Sequence, residues 1–141
     1  MLVFLYANPF KPKDISMSIF NTCSIDNLQG ATPVDGYFLT NTTARLVAQG
    51  WVGDSIKTTK SDNIFFQIVD NKNDVIFSTK SVTDFARPDV AKAYGNAAME
   101  FTGFNSDLGL IATPGDYTIL LGSINGGQHQ ICTVPFKVRV S

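Results

Sequence analysis

The sequence predicts an all-β protein, an immunoglobulin-like antiparallel β-sandwich of about eight strands with one short crossover helix near residues 88–95. Three observations predict it. Runs rich in β-branched and aromatic residues are separated by turn signals roughly every 8–12 residues. Phenylalanine is frequent, 11 residues against 3 methionines, and such residues fit a pleated, half-buried surface. Only Phe85–Phe104, FARPDVAKAYGNAAMEFTGF, leaves the strand pattern for a helical one.

That stretch carries its own punctuation. Pro88 has a fixed φ and no N–H, so it suits a first helical turn and holds Arg87 out of the helix. Asp89 follows where a carboxylate meets the positive end of the helix dipole. Val90 to Tyr94 complete about two turns, and Gly95 supplies the stop. Gly103-Phe104 reads as a tight bend that delivers an aromatic ring to the core. The structural reading of Arg87 and Asp89 is a local ion pair with a helix cap. The functional reading makes them ligand contacts.

The remaining elements follow in order. Met1–Ala7 is an apolar run, broken at Asn8-Pro9 and followed by the polar linker Lys11–Asp14. It is too short to span a bilayer and lacks the basic start of a signal peptide. Residues 1–15 are therefore set apart from a single sandwich domain over 16–141. Residues 1–10 are a candidate membrane tether or assembly contact, or else an edge strand. Ser16–Leu28 is the first strand. Gln29-Gly30, Thr32-Pro33 and Asp35-Gly36 mark turns, and Tyr37–Thr40 is a short strand. Asn41-Thr42-Thr43 fits an N-glycosylation pattern that is common by chance. In the strand Ala44–Val52, Leu46, Ala48 and Val52 share one face, which leaves Trp51 on the more polar one. Trp51 is then either a sugar-stacking platform or a ring covered through a bulge at Gly50 or by the helix.

Ile64–Val69 and Val75–Val82 form a hairpin around Asp70–Asp74. That loop lacks the later glycine and glutamate of an EF-hand loop and reads as a plain turn. Both of its strands carry apolar residues on both faces, as central strands do. Leu108–Ala112 precedes Thr113-Pro114-Gly115-Asp116, a type II turn signature. Asp116–Ile124, with Tyr117, Ile119 and Leu121 on one face, leads through Asn125-Gly126, the strongest hairpin signal, to the last strand Gln128–Val140. Pro135 marks an edge or a bulge in that strand.

Composition excludes several functions. Eleven basic and 12 acidic residues give a net charge of −1, with no basic run for nucleic acid. Charged residues are 16% of the chain and apolar ones 44%, a globular balance that argues against disorder. His129, the only histidine, sits beside no nucleophile elbow, and zinc needs more His or Cys than the chain holds. No phosphate loop occurs. No metal and no cofactor is expected. Asp54, Asp84, Asp89, Asp107 and Asp116 are the carboxylates a hydrolase would have to draw on. Cys23 and Cys132 both take the core-facing parity of their strands. They are either a disulfide, closing a loop of about 100 residues, or two buried thiols.

The ordered set Cys23-Ser24-Ile25-Asp26, Leu28-Gln29-Gly30, Gly50-Trp51, Ala86-Arg87-Pro88-Asp89-Val90, Gly103-Phe104, Pro114-Gly115-Asp116-Tyr117 and Cys132 resembles a poorly characterised bacterial β-sandwich module. Such modules occur in extracytoplasmic regions of envelope proteins, including those of membrane-embedded glycan-handling enzymes. The resemblance spans Thr22–Val140. It implies a non-catalytic module in the periplasm or on the cell surface, and it supports a Cys23–Cys132 bridge. The expectation is thus a carbohydrate-binding or protein-binding envelope module that is not an enzyme. Its contacts are drawn from Trp51, Arg87, Asp89 and Tyr94, with Tyr37 as a further exposed aromatic. Its partner is a glycan or an envelope protein. The alternatives are a structural subunit of a surface filament or shell, assembling through residues 1–10, and a carboxylate-dependent hydrolase.

Overall fold

The computed structural model describes residues 18–20, 23–54, 59–60, 63–125, 128–132 and 136–141. The apolar segment, the polar linker, Gly126 and Pro135 lie outside the described residues. The described chain forms β1 (Ser18–Phe20), β2 (Cys23–Gln29), β3 (Thr32–Val34), β4 (Tyr37–Thr40), β5 (Leu46–Asp54), β6 (Thr59–Lys60), β7 (Asn63–Asp70) and β8 (Val75–Ser81). Then come helix α1 (Pro88–Tyr94), a single 3₁₀ turn (Ala97–Met99), β9 (Gly103–Gly109), β10 (Gly115–Asn125), β11 (Gln128–Cys132) and β12 (Phe136–Val140).

These strands make two sheets. The larger has eight strands: β1, β11, β10, β12, β4 and β3, with β7 pairing β10 and β8 pairing β7. The smaller has four: β2, β5 and β6, with β9 pairing β5. Ile25, Leu28, Leu46, Ala48 and Val52 of the smaller sheet face Ile64, Phe66, Ile68, Ile119, Leu121 and Val138 of the larger in one apolar core. The alternation of apolar residues on β5 and β10 thus selects the inward face, as expected of stacked sheets. Phe104 enters this core and meets Phe66 edge-on at 5.2 Å between ring centroids. Tyr117, near the start of β10, donates its hydroxyl to the Thr113 carbonyl at 2.8 Å. This is the tyrosine corner of immunoglobulin-like sandwiches, a phenol that closes the turn entering a central strand.

The sandwich departs from the expected pattern in several places. The strand expected over Ser16–Leu28 is two strands in different sheets, with β1 pairing β11 and β2 pairing β5. The last strand is likewise two segments, β11 and β12, both paired with β10. Such interruptions raise the strand count above eight. Two pairings, β1 with β11 and β4 with β12, are parallel, so the sandwich is not purely antiparallel. Thr32-Pro33 lies in the edge strand β3, where a proline without an N–H is tolerated. The turn there is Asp35-Gly36, with φ of 34° and 88°. Gly103-Phe104 opens β9 rather than making a bend, and β9 ends at Gly109, so Leu108–Ala112 is mostly loop. Gly115, with φ of 151°, lies outside type II geometry and starts β10 directly. Of the hairpin, β7 is buried on both faces, but β8 pairs only β7 among the described strands, with Ile76 and Phe77 exposed.

The helix matches its expectation. It spans Pro88–Tyr94, and Gly95 follows in the left-handed conformation at φ 61°. The N–H of Gly95 reaches the Lys92 carbonyl and that of Asn96 the Ala91 carbonyl. These are the two bonds of a Schellman motif. Val90 is the buried anchor of the helix.

Candidate functional site

The four residues singled out from the sequence, Trp51, Arg87, Asp89 and Tyr94, gather where α1 meets the smaller sheet. Trp51 lies on the face of β5 turned away from the core, between Ser24 of β2 and Gly103 of β9 in the sheet register. Tyr94, in the last turn of α1, meets its ring edge-on at 5.8 Å. Trp51 is half-buried as a result, and the helix, not a bulge at Gly50, covers it. The bulge on this face falls between Ile25 and Asn27 of the neighbouring strand, at Asp26.

Arg87 precedes the helix and holds it to the sheet. Its Nε and Nη2 donate to the two carboxylate oxygens of Asp89 at 2.9 and 2.8 Å. Its Nη1 donates to Oδ2 of Asp26 at 2.7 Å, a residue 61 positions earlier in the chain. The Ser24 hydroxyl donates to the other Asp26 oxygen at 2.9 Å. The expected ion pair with Asp89 is present, but Arg87, at the N-cap position, makes no side-chain capping bond. Hydrogen bonding from Arg87 lowers the Asp89 carboxyl below its usual range. Its hydrogen bonds to Asp89, and those to Asp26, raise the Arg87 guanidinium.

The arrangement has a specific shape. Phe85 bridges Gly103 across the sheet edge. A Cβ placed on Gly103 would lie 2.6 Å from the Phe85 carbonyl oxygen and 2.9 Å from Cγ of Arg87. The missing side chain is therefore what lets the arginine stem lie flat on β9. Phe85 at 50%, Phe101 at 49% and Tyr94 at 39% are exposed around this clamp. Asp26, Phe85 and Phe101 were not singled out from sequence. Nothing local sets Asp26 apart from the other polar residues of CSIDNLQ.

The remaining candidates lie apart. Tyr37 sits on the outer face of the larger sheet under the Arg139 guanidinium, 4.8 Å from its ring centroid. Arg139 also pairs with Asp116 at 2.8 Å. These residues, with Asp70, Asn71 and Lys137, line a shallow depression of about 400 Å³. A second groove of about 390 Å³ has a mixed lining, with Phe77, Leu108, Leu110 and Ile111 beside Asp70, Thr113 and Tyr117. Cys23 and Cys132 form a disulfide that joins the smaller sheet to the larger. Cys132 is therefore no nucleophile. His129 pairs with Ile124 in the β10–β11 hairpin, away from the clamp. Asp107 is held by Arg45 at 2.7 Å. Hydrogen bonding from Arg45 and the Gly109 N–H lowers its carboxyl. Among the described residues no group of three or more His, Cys, Asp or Glu could hold a metal. The Asp70–Asp74 loop is a plain turn in which the Asp70 carboxylate accepts from the Lys72 and Asp74 N–H groups. No helix among the described residues is long and apolar enough to cross a membrane.

No protein-family model matches the chain, and none of the curated proteins matches it.

Proposed function

We propose that this protein is a non-catalytic interaction module that works outside the cytoplasm and binds a glycan on the α1 face of its smaller sheet. The observation that carries the reading is the grouping of Trp51 and Tyr94 with exposed Phe85 and Phe101 around the Asp26–Arg87–Asp89 clamp. Aromatic rings offer flat apolar faces for the C–H side of a sugar ring. All three guanidinium nitrogens of Arg87 are engaged by carboxylates, and the clamp holds two acids against one base. Such a patch repels phosphate and acidic polymers and leaves carboxylate lone pairs for hydroxyl donors. A neutral, hydroxyl-rich ligand fits it best.

Two further observations favour this reading over a hydrolase. The carboxyls of Asp89 and Asp107 are both held low, whereas a general acid is held high. Asp89, Asp107 and Asp116 each face a different arginine, which separates them instead of pairing them across a substrate. The disulfide supports an oxidising compartment, where such bonds persist.

A glycan array with wild type, Trp51→Ala and Tyr94→Ala tests the proposal. Retention of neutral glycans by wild type is expected, with affinity falling about tenfold on loss of either ring. Tyr94 is the cleaner probe because it is exposed and its loss leaves the core intact. Retention by neither wild type nor variants, or equal retention by all three, removes the glycan reading.

A further inference from the structure

We propose, on the basis of the glycan reading above, that the site continues from Trp51 along the outward face of the smaller sheet, where Asn27, Gln49 and Asn105 select a linear, neutral sugar chain. Leu46, Ala48 and Val52 of β5 face the core, so Val47, Gln49 and Trp51 point the other way. The sheet register sets three rows across β2, β5 and β9. Ser24, Trp51 and Gly103 form the first row, and Asn27, Gln49 and Asn105 the second. Gln29, Val47 and Asp107 form the third. The bulge at Asp26 makes the second row possible. It shifts the alternation of β2 by one residue, so that Asn27 and not Asp26 lies beside Gln49.

The middle row is made of carboxamides alone, although asparagine is a poor strand former. Asn27 and Asn105 are exposed, and Gln49 is half-buried between them. Asn27 donates from Nδ2 to Oε1 of Gln49 at 2.8 Å. That bond leaves Oδ1 of Asn27 as an acceptor and Nε2 of Gln49 as a donor. Among the described residues, neither Gln49 Nε2 nor the Asn105 amide has a side-chain partner. A carboxamide carries a donor and an acceptor in one plane, which suits two neighbouring hydroxyls of a sugar ring. No charge falls in the row, and the charges at its ends are already paired. Arg45 holds Asp107 at 2.7 Å at one end, and Arg87 holds Asp26 and Asp89 at the other. A neutral chain therefore lies along this face without desolvating an unpaired ion.

The spacing favours a chain over a single ring. Two residues along a strand advance about 7 Å, roughly one sugar ring with its linkage. Trp51, Gln49 and Val47 thus offer three successive steps over about 14 Å. The first step holds the aromatic pair, where Tyr94 of α1 meets Trp51 at 5.8 Å. The second is the amide row. The third is Val47, half-buried between Gln29 and Asp107, an apolar patch with polar flanks. A monosaccharide on Trp51 stops short of this third step, whereas about three linked rings reach it.

Calorimetric titration with neutral sugar ladders is the test, using homo-oligomers of glucose, mannose, galactose and N-acetylglucosamine from monosaccharide to hexasaccharide. Affinity for one ladder is expected to rise at least about tenfold from monosaccharide to trisaccharide and then to level off. Asn105→Ala and Gln49→Ala are each expected to cut that gain to about threefold or less. Asn105 is exposed, so its variant decides the matter even if Gln49→Ala disturbs the sheet. Affinity independent of chain length, or an undiminished gain in Asn105→Ala, overturns the amide row; the glycan reading stands if Trp51→Ala still weakens binding. Binding of no ladder also overturns this proposal, and an empty glycan array removes the glycan reading as well.

Discussion

At the residue scale the arrangement around Arg87 is the most informative. One side chain bonds an acid two positions ahead and another 61 positions behind, so it couples a local helix start to a distant bulge. Arg87→Ala is expected to cost about 1 kcal/mol, because the pair is partly screened by water, and to loosen Tyr94 from Trp51. Urea unfolding gives the first and tryptophan fluorescence the second; an unchanged emission spectrum would separate the clamp from the aromatic pair. The pH dependence follows from the lowered carboxyls of Asp89 and Asp107. Their folded values lie below the unfolded value of about 3.9, so their contribution is complete above that pH. It is lost as pH falls through the lowered folded values. Asp89→Asn with Asp107→Asn is thus expected to lower the melting temperature at pH 7 and to flatten its decline between about pH 5 and about pH 2. Of this constellation the sequence displayed Arg87–Asp89, which are near neighbours. It did not display Asp26, because nothing local couples a strand residue to a helix start 61 positions away.

At the element scale, short-range chemistry decided most of what formed. Pro88 and Gly95 bracket the helix because one lacks an N–H and the other tolerates positive φ. The inward faces of β5 and β10 follow directly from alternation. Alternation misjudged β8, however. Its apolar residues look like those of a central strand, but no described strand pairs its far side, and Ile76 and Phe77 stay exposed. The tyrosine corner is an element-scale device too: Tyr117 ties the β9–β10 connection to the start of β10. Tyr117→Phe leaves the ring packed and strips the Thr113 carbonyl of its donor. The expected loss is about 1 kcal/mol, measured by equilibrium denaturation. A loss near zero would mean that water replaces the phenol there.

At the scale of the whole molecule, the Cys23–Cys132 disulfide joins the two sheets across 109 residues of sequence. In the chain-entropy model a loop of that size is worth about 4–5 kcal/mol. The Cys23→Ser, Cys132→Ser variant is therefore expected to lose several kcal/mol in denaturant unfolding, against well under 1 kcal/mol if the sheets hold together unaided. The same bridge ties the start of β2, in the smaller sheet, to the end of β11, the strand that β1 pairs in the larger.

What the sequence determined by itself was whatever depends on near neighbours: strand alternation, turn residues, the helix and its stop, and the parity that turned both cysteines inward. The tertiary structure alone decided which strands share a sheet, which pair in parallel, and that Asp26, Trp51, Arg87 and Tyr94 meet. It also decided that Phe65 and Gln67 are buried on the face away from the core. The physical reason is that sheet contacts join residues far apart in the chain. A strand's own residues specify which of its faces is apolar, but only the assembled layers specify what that face meets.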